Sequence, residues 1–121
     1  MVSAKELMTG DLVAYAGADI RIARISENFV TYFTPWGKRA SVYEDDLTAI
    51  PLTEKILEAN GFINDEIAGT WNHRSPTFEV LGSDKSGWMI FDCISIKSVH
   101  ELQNAMRLCE LQDFADKIKL G

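Results

Sequence analysis

Between Asp11 and Ile50 the apolar positions come in short runs: DLVAY (Asp11–Tyr15), IRIARI (Ile20–Ile25), FVTYFT (Phe29–Thr34) and RASVY (Arg39–Tyr43). Each run is rich in β-branched and aromatic residues, the composition of a half-buried pleated surface. Turn chemistry separates them at Ala16-Gly17-Ala18-Asp19, Ser26-Glu27-Asn28 and Thr34-Pro35-Trp36-Gly37. In the last of these Pro35 presets the second turn position and Gly37 relaxes the fourth. The pattern predicts four or five antiparallel strands, folded as an SH3-like small barrel or a strongly bent antiparallel meander. Two strands alone would not persist in water, so closure or a covering element is required.

The period changes in IPLTEKILEANGF (Ile50–Phe62). Thr53 is placed to cap a helix, its hydroxyl accepting one of the first-turn amides, after Pro51 has discouraged an earlier start. Leu52 and Leu57 have the spacing of a hydrophobic staple. Gly61 suits the left-handed residue that terminates a helix, and Phe62 is placed to fold back on Leu57 or Ile56. A helix from about Thr53 to Asn60 is too short to persist alone, so its apolar face must pack on a sheet.

Beyond Phe62 the polar stretch INDEIAGTWNHRSP (Ile63–Pro76) reads mainly as a loop, with one short strand around Thr70–His73. TFEVL (Thr77–Leu81) and WMIFDC (Trp88–Cys93) flank GSDKSG, a hairpin connection, and ISI (Ile94–Ile96) adds a last strand, giving a β-hairpin or three-stranded sheet. In SVHELQNAMRL (Ser98–Leu108), Ser98 and Glu101 have capping-box spacing. Val99, Leu102, Ala105, Met106 and Cys109 form the buried stripe of a C-terminal amphipathic helix. After Cys109 the apolar phase slips to Leu111, Phe114, Ala115 and Ile118, which predicts a break, a bend or a second short helix before the tail. The fold class is therefore α+β. At 121 residues the chain is expected to be a single compact domain, with a β-rich half (1–52) and an α-β-β-α half (53–121).

Composition excludes several classes. Hydrophobic content of 46% beside 25% charged residues is that of a globular chain. No apolar run reaches the ~18 residues of a membrane span, and MVSAKELMTG lacks the continuous apolar core of a secretory signal, so a cytoplasmic location is expected. The two cysteines, Cys93 on an expected strand and Cys109 on an expected helix, read as buried thiols. A net charge of −6 makes nucleic acid an unlikely partner, because such binding draws on cations that neutralise phosphates. Arg21, Arg24, Lys38 and Arg39 supply the local basic character that a nucleic-acid surface would need.

No residue pattern points to catalysis. His73 and His100 stand far apart, neither cysteine lies in a C-x-x-C pair, and H-x-x-x-H is absent, so no metal ligand and no cofactor is assigned. His100, near a helix start, reads as a surface residue. There is no G-x-S-x-G elbow and no phosphate loop. Glu44, Asp45 and Asp46 can place carboxylates together for acid-base work or a divalent cation, but adjacent acids at a strand end read first as a solvated turn. The expectation is a protein that is not an enzyme.

The aromatic residues carry the one binding hypothesis. Tyr15, Tyr32, Trp36 and Tyr43 fall in the β-rich half, with Lys38 and Arg39 beside Trp36. SH3-like surfaces stack proline-rich peptides on such rings, and related barrels stack single-stranded bases. The competing interpretation is that Tyr32 and Tyr43 pack at sheet edges and Trp36 covers one end of the barrel.

ELMTGDLV (Glu6–Val13), IPLTEKILEANGF and VHELQNAMRL occur in an order that resembles a group of small uncharacterised proteins from gut bacteria, their prophages and other mobile elements. The shared blocks are structural: a first strand, a capped helix and a final helix. The chain departs from the group after VHELQNAMRL, where a glycine turn is common and CELQDFADKIKL stands instead. The resemblance implies a small accessory protein and brings no catalytic residue, substrate or cofactor. Sequence alone thus ranks a protein-interaction module first and a nucleic-acid-associated accessory factor second, with the partner and the oligomeric state open.

Overall fold

A computed structural model describes residues 1–121 other than Ser75 and Asp92. The chain divides into two units, Met1–Ile50 and Pro51–Gly121. Together they make an α+β protein with two antiparallel sheets of five strands each.

In the first unit the short runs become β1 (Leu12–Tyr15), β2 (Ala18–Ile25), β3 (Phe29–Phe33), β4 (Arg39–Tyr43) and β5 (Leu47–Thr48), ordered β4-β3-β2-β1-β5. Ala16 and Gly17 both take positive φ, 50° and 80°, the conformation a two-residue hairpin requires. The register of β2 against β3 shifts between Ile22 and Arg24, a bulge that bends the strand. Val13, Ile20, Ile22, Val30, Val42 and Leu47 form one cluster, with Tyr15, Ile25 and Tyr32 packed against it. The sheet does not close into a barrel: among the described residues β4 pairs only with β3, and β5 only with β1. The first unit is thus an antiparallel meander that stays open among the described residues.

The N-terminal segment is fastened to this unit. Ser3 and Glu6 form a reciprocal capping box around a one-turn 3-10 helix, Ala4–Glu6. Glu44 accepts from the Ala4 amide at 2.7 Å, and the fully buried Asp11 accepts from the Met8 amide at 2.9 Å.

The second unit begins with α1 (Glu54–Ala59), whose ends form as the sequence predicts. Thr53 Oγ1 accepts from the Ile56 amide at 3.2 Å. At the other end Phe62 N–H donates to Leu57 O and Gly61 N–H to Glu58 O, both at 3.0 Å, with Gly61 at φ 88°. That is the paired 6→1 and 5→2 pattern of a Schellman motif, and Leu57 and Phe62 are both buried.

The sheet that follows is larger than expected. β6 (Ile63–Asp65), β7 (Thr70–Arg74), β8 (Thr77–Ser83), β9 (Gly87–Ile90) and β10 (Ile94–Ile96) form a five-stranded meander. The stretch expected to be mainly loop is therefore a hairpin, with Ile63 opposite Asn72 and Asp65 opposite Thr70. Every residue of β6 is exposed, so neither alternation nor an apolar run marks it. β9 stops at Ile90, earlier than the expected strand to Cys93. Phe91 takes φ 54°, and Asp92 lies outside the described residues.

α2 (Val99–Leu108) and α3 (Gln112–Asp116) complete the unit, the latter being the second short helix that the phase slip predicts. The residues leading into α1 run beside those leading into α2: Leu52 N–H donates to Lys97 O at 3.0 Å, and Pro51 bridges Ser98. Trp88 Nε1 donates to Leu52 O at 2.8 Å, and its ring meets Trp71 edge on at 6.5 Å. Gln103, outside the apolar stripe, is buried and donates to Ala115 O at 2.9 Å. α2 ends in a second Schellman pattern, Leu111 to Met106 and Glu110 to Arg107. Glu110, at φ 63°, occupies the place where glycine is usual.

Three expectations are corrected here. His100 is buried, not on the surface. Cys93 and Cys109 are free and exposed, not buried. Cys93 follows the end of β9 in a turn, and Cys109 caps α2 where the helical stripe no longer faces the core. No helix among the described residues is long and apolar enough to cross a membrane.

Candidate functional site

The register of β3 with β4 sorts the candidate residues. Val30 pairs with Val42 and Tyr32 with Ala40, on the face that packs into the core. Phe29 pairs with Tyr43, Thr31 with Ser41 and Phe33 with Arg39, on the opposite face. Side chains alternate across a strand, so Phe29, Phe33, Arg39 and Tyr43 share one outer surface. Phe33 is 58% exposed and Tyr43 62%. The rings of Phe29 and Tyr43 meet edge on, with centroids 6.2 Å apart.

Trp36 stands at the tip of the same hairpin and is 83% exposed. The turn holds it there: Gly37 N–H donates to Thr34 O at 2.9 Å and Thr34 N–H to Lys38 O at 2.8 Å. Lys38 and Arg39 are exposed beside it. Tyr15 and Tyr32 do not join this surface, because both are half-buried against the core cluster. Of the six residues singled out from sequence, the structure brings together Trp36, Lys38, Arg39 and Tyr43.

Sequence inspection misses Phe29 and Phe33. The signal that finds them is register: once Tyr43 and Arg39 face outward, their direct partners must also do so. Arg24 pairs with Thr31 and extends the surface across β2, while Arg21, also exposed, donates to Gly10 O at 2.9 Å. A cleft of about 260 Å³ is lined by Phe29, Ser41, Val42 and Tyr43. A larger one of about 650 Å³ is lined by Ala4, Lys5, Ile25, Ser26, Glu27 and Asn28.

Chemically, this surface offers flat apolar faces and flanking cations. Exposed rings stack on proline, on other aromatics or on bases. Lys38 and Arg39 can hold carboxylates or phosphates, the arginine in a bidentate fork.

Glu44, His73 and His100 each have a structural partner. Glu44–Asp46 form a single 3-10 turn in which Glu44 is engaged with Ala4. The His73 ring lies edge on to Phe62 and Phe114, and its Nδ1 is 2.8 Å from Pro76 O. Ser98, His100 and Glu101 lie together at the start of α2. Ser98 Oγ donates to Glu101 Oε1 at 2.8 Å and accepts from the Glu101 amide at 3.4 Å. Its proton being spent on the carboxylate, the 3.1 Å contact has His100 Nδ1 as the donor. The hydroxyl is a helix cap on a residue only 2% exposed, closed to a substrate. Among the described residues no three His, Cys, Asp or Glu side chains gather as a metal site. No family model matches the chain, and no curated protein or solved structure matches it.

Proposed function

We propose that this protein is a non-enzymatic interaction module that holds a protein partner on the outer face of the β3–β4 hairpin. One observation carries the proposal: Phe33, Trp36 and Tyr43 are all more than half exposed on one hairpin, beside Lys38 and Arg39. Large rings left in water on one surface, with cations around them, have the composition of a binding hot spot. A partner segment with proline or aromatic residues and nearby carboxylates suits it. The first unit is SH3-like in the finer sense, a view supported by its strand order, its bulged β2 and the 3-10 turn before β5. The resemblance to mobile-element proteins favours an accessory role.

The second function, a nucleic-acid-associated factor, is favoured by a specific placement. Arg24 and Arg39 lie on the same outer face as Phe33, so stacking and phosphate contacts would be adjacent. A titration monitored by tryptophan fluorescence separates the two, since Trp36 is the exposed reporter and Trp71 and Trp88 are buried. Acidic, proline-containing peptides are expected to quench or shift the Trp36 signal, and oligonucleotides to do so only weakly. Saturable binding of oligonucleotides alone, lost when Arg24 and Arg39 become Ala, would reverse the ranking.

A further inference from the structure

Among the described residues β4 has one strand neighbour, and its open edge has a definite hydrogen-bonding phase. Thr34 N–H donates to Lys38 O, and Glu44 N–H to Asn28 O. These two pairs fix the alternation along the hairpin, so Val30–Val42 and Tyr32–Ala40 are its hydrogen-bonded pairs. The amides and carbonyls of Arg39, Ser41 and Tyr43 therefore point away from β3, toward the open edge. An unpaired row of this kind is a template for another strand.

Which strand it takes follows from the sequence of the edge itself. From Lys38 to Asp46 the chain reads KRASVYEDD, basic at one end and acidic at the other. Set antiparallel against itself about Ser41, it places Arg39 opposite Tyr43 of the second copy and Lys38 opposite Glu44. Gly37 and Trp36 then approach Asp45 and Asp46. Arg39 and Tyr43 both lie on the outer face, so each guanidinium meets a ring across the seam, a cation–π pair. Ala40 meets Val42 on the core face. A parallel arrangement would instead set Arg39 beside Arg39 and the acids beside the acids, which like-charge repulsion opposes.

We propose that β4 pairs with β4 of a second copy of this chain, antiparallel and about a two-fold axis at Ser41. The two five-stranded sheets of the first units become one sheet of ten strands, and the outer faces carrying Phe33 and Tyr43 become continuous. The interface is isologous, as a two-fold dimer demands. This pairing does not depend on which partner the aromatic face holds.

Charge reversal tests it. Sedimentation equilibrium of the full chain is expected to give a monomer–dimer equilibrium. The variant Lys38→Glu/Arg39→Glu sets acids against the acidic end of the second copy, and Glu44→Lys/Asp45→Lys sets bases against Lys38 and Arg39. Each variant alone is expected to dimerise at least roughly tenfold more weakly, and an equimolar mixture to recover the association, because only the mixed pair is complementary at both ends. Native-state amide exchange provides the second readout: Arg39, Ser41 and Tyr43 should become protected as concentration rises, while Ala40 and Val42 stay protected throughout. A wild-type chain that is monomeric at millimolar concentration overturns the proposal. So does dimerisation that both variants retain, or concentration-dependent protection confined to other strands. Each of these three results leaves the aromatic face as a binding site untouched, since no partner enters the measurement.

Discussion

Replacing Gly82 by Ala should destabilise the second unit well beyond the same change at Gly87, on the neighbouring strand. A Cβ on Gly82 would lie 2.0 Å from Gly87 O, 3.0 Å from Gly87 C and 3.2 Å from Trp88 Cα. All three are backbone atoms of the adjacent strand, so no side chain can swing aside. Gly82 also has φ 123°, where an L-residue is strained. The strain costs about 1–3 kcal/mol and the forced displacement of the β8–β9 pair about 1–3 kcal/mol more. Gly87 has φ 82° but nothing within 4 Å of its Cβ, so only a left-handed penalty of about 1–2 kcal/mol remains. At the midpoints of these ranges the two substitutions differ by about 2.5 kcal/mol. At roughly 4–8 °C per kcal/mol for a domain of this size, Gly82→Ala should melt roughly 10 °C or more below Gly87→Ala. Urea denaturation in a Trp36→Phe background lets the buried Trp71 and Trp88 report on the second unit alone. Equal losses in the two variants, or a loss under about 1 kcal/mol for Gly82→Ala, would refute the close approach of β8 to β9.

Two further changes probe the second unit by the same assay. Ser98→Ala removes the cap of α2 and leaves the buried His100 without its hydroxyl partner. It should cost about 1–2 kcal/mol, with Ser98→Asp, which keeps an acceptor for the Glu101 amide, recovering part of the loss. Trp88→Phe keeps most of the ring but removes the indole N–H that donates to Leu52 O, and should cost about 1–3 kcal/mol by urea midpoint. By contrast Trp36→Ala, at an exposed turn, should change stability by less than about 0.5 kcal/mol while lowering partner affinity.

Local chemistry was legible where backbone groups dictate it. Thr53, Gly61 and Phe62 bound α1 because unpaired helix-end groups must be satisfied within a few residues. The same logic covers Ser98 and Glu101, and would have found Ser3 and Glu6, which share that spacing. β6 was illegible because its three exposed residues carry no burial pattern; pairing with β7 holds them, and pairing is a property of two segments. His100 misled because its neighbours in sequence are polar, yet the ring turns inward to Ser98. At the candidate site, Trp36, Lys38, Arg39 and Tyr43 were found from composition, but separating them from Tyr15 and Tyr32 required the register. Composition cannot say which face a tyrosine occupies.

Affinity capture from the native host, with quantitative comparison of wild-type chain and the Phe33→Ala/Trp36→Ala variant, addresses the proposed role of the β3–β4 face. Both rings are exposed, so the variant should retain its fold, and circular dichroism verifies that in the same preparation. A protein recovered by the wild type and depleted at least roughly tenfold from the variant is the predicted result, since losing two hot-spot rings costs more than about 1.4 kcal/mol. Equal recovery by both chains would mean that the aromatic face is not where the partner binds.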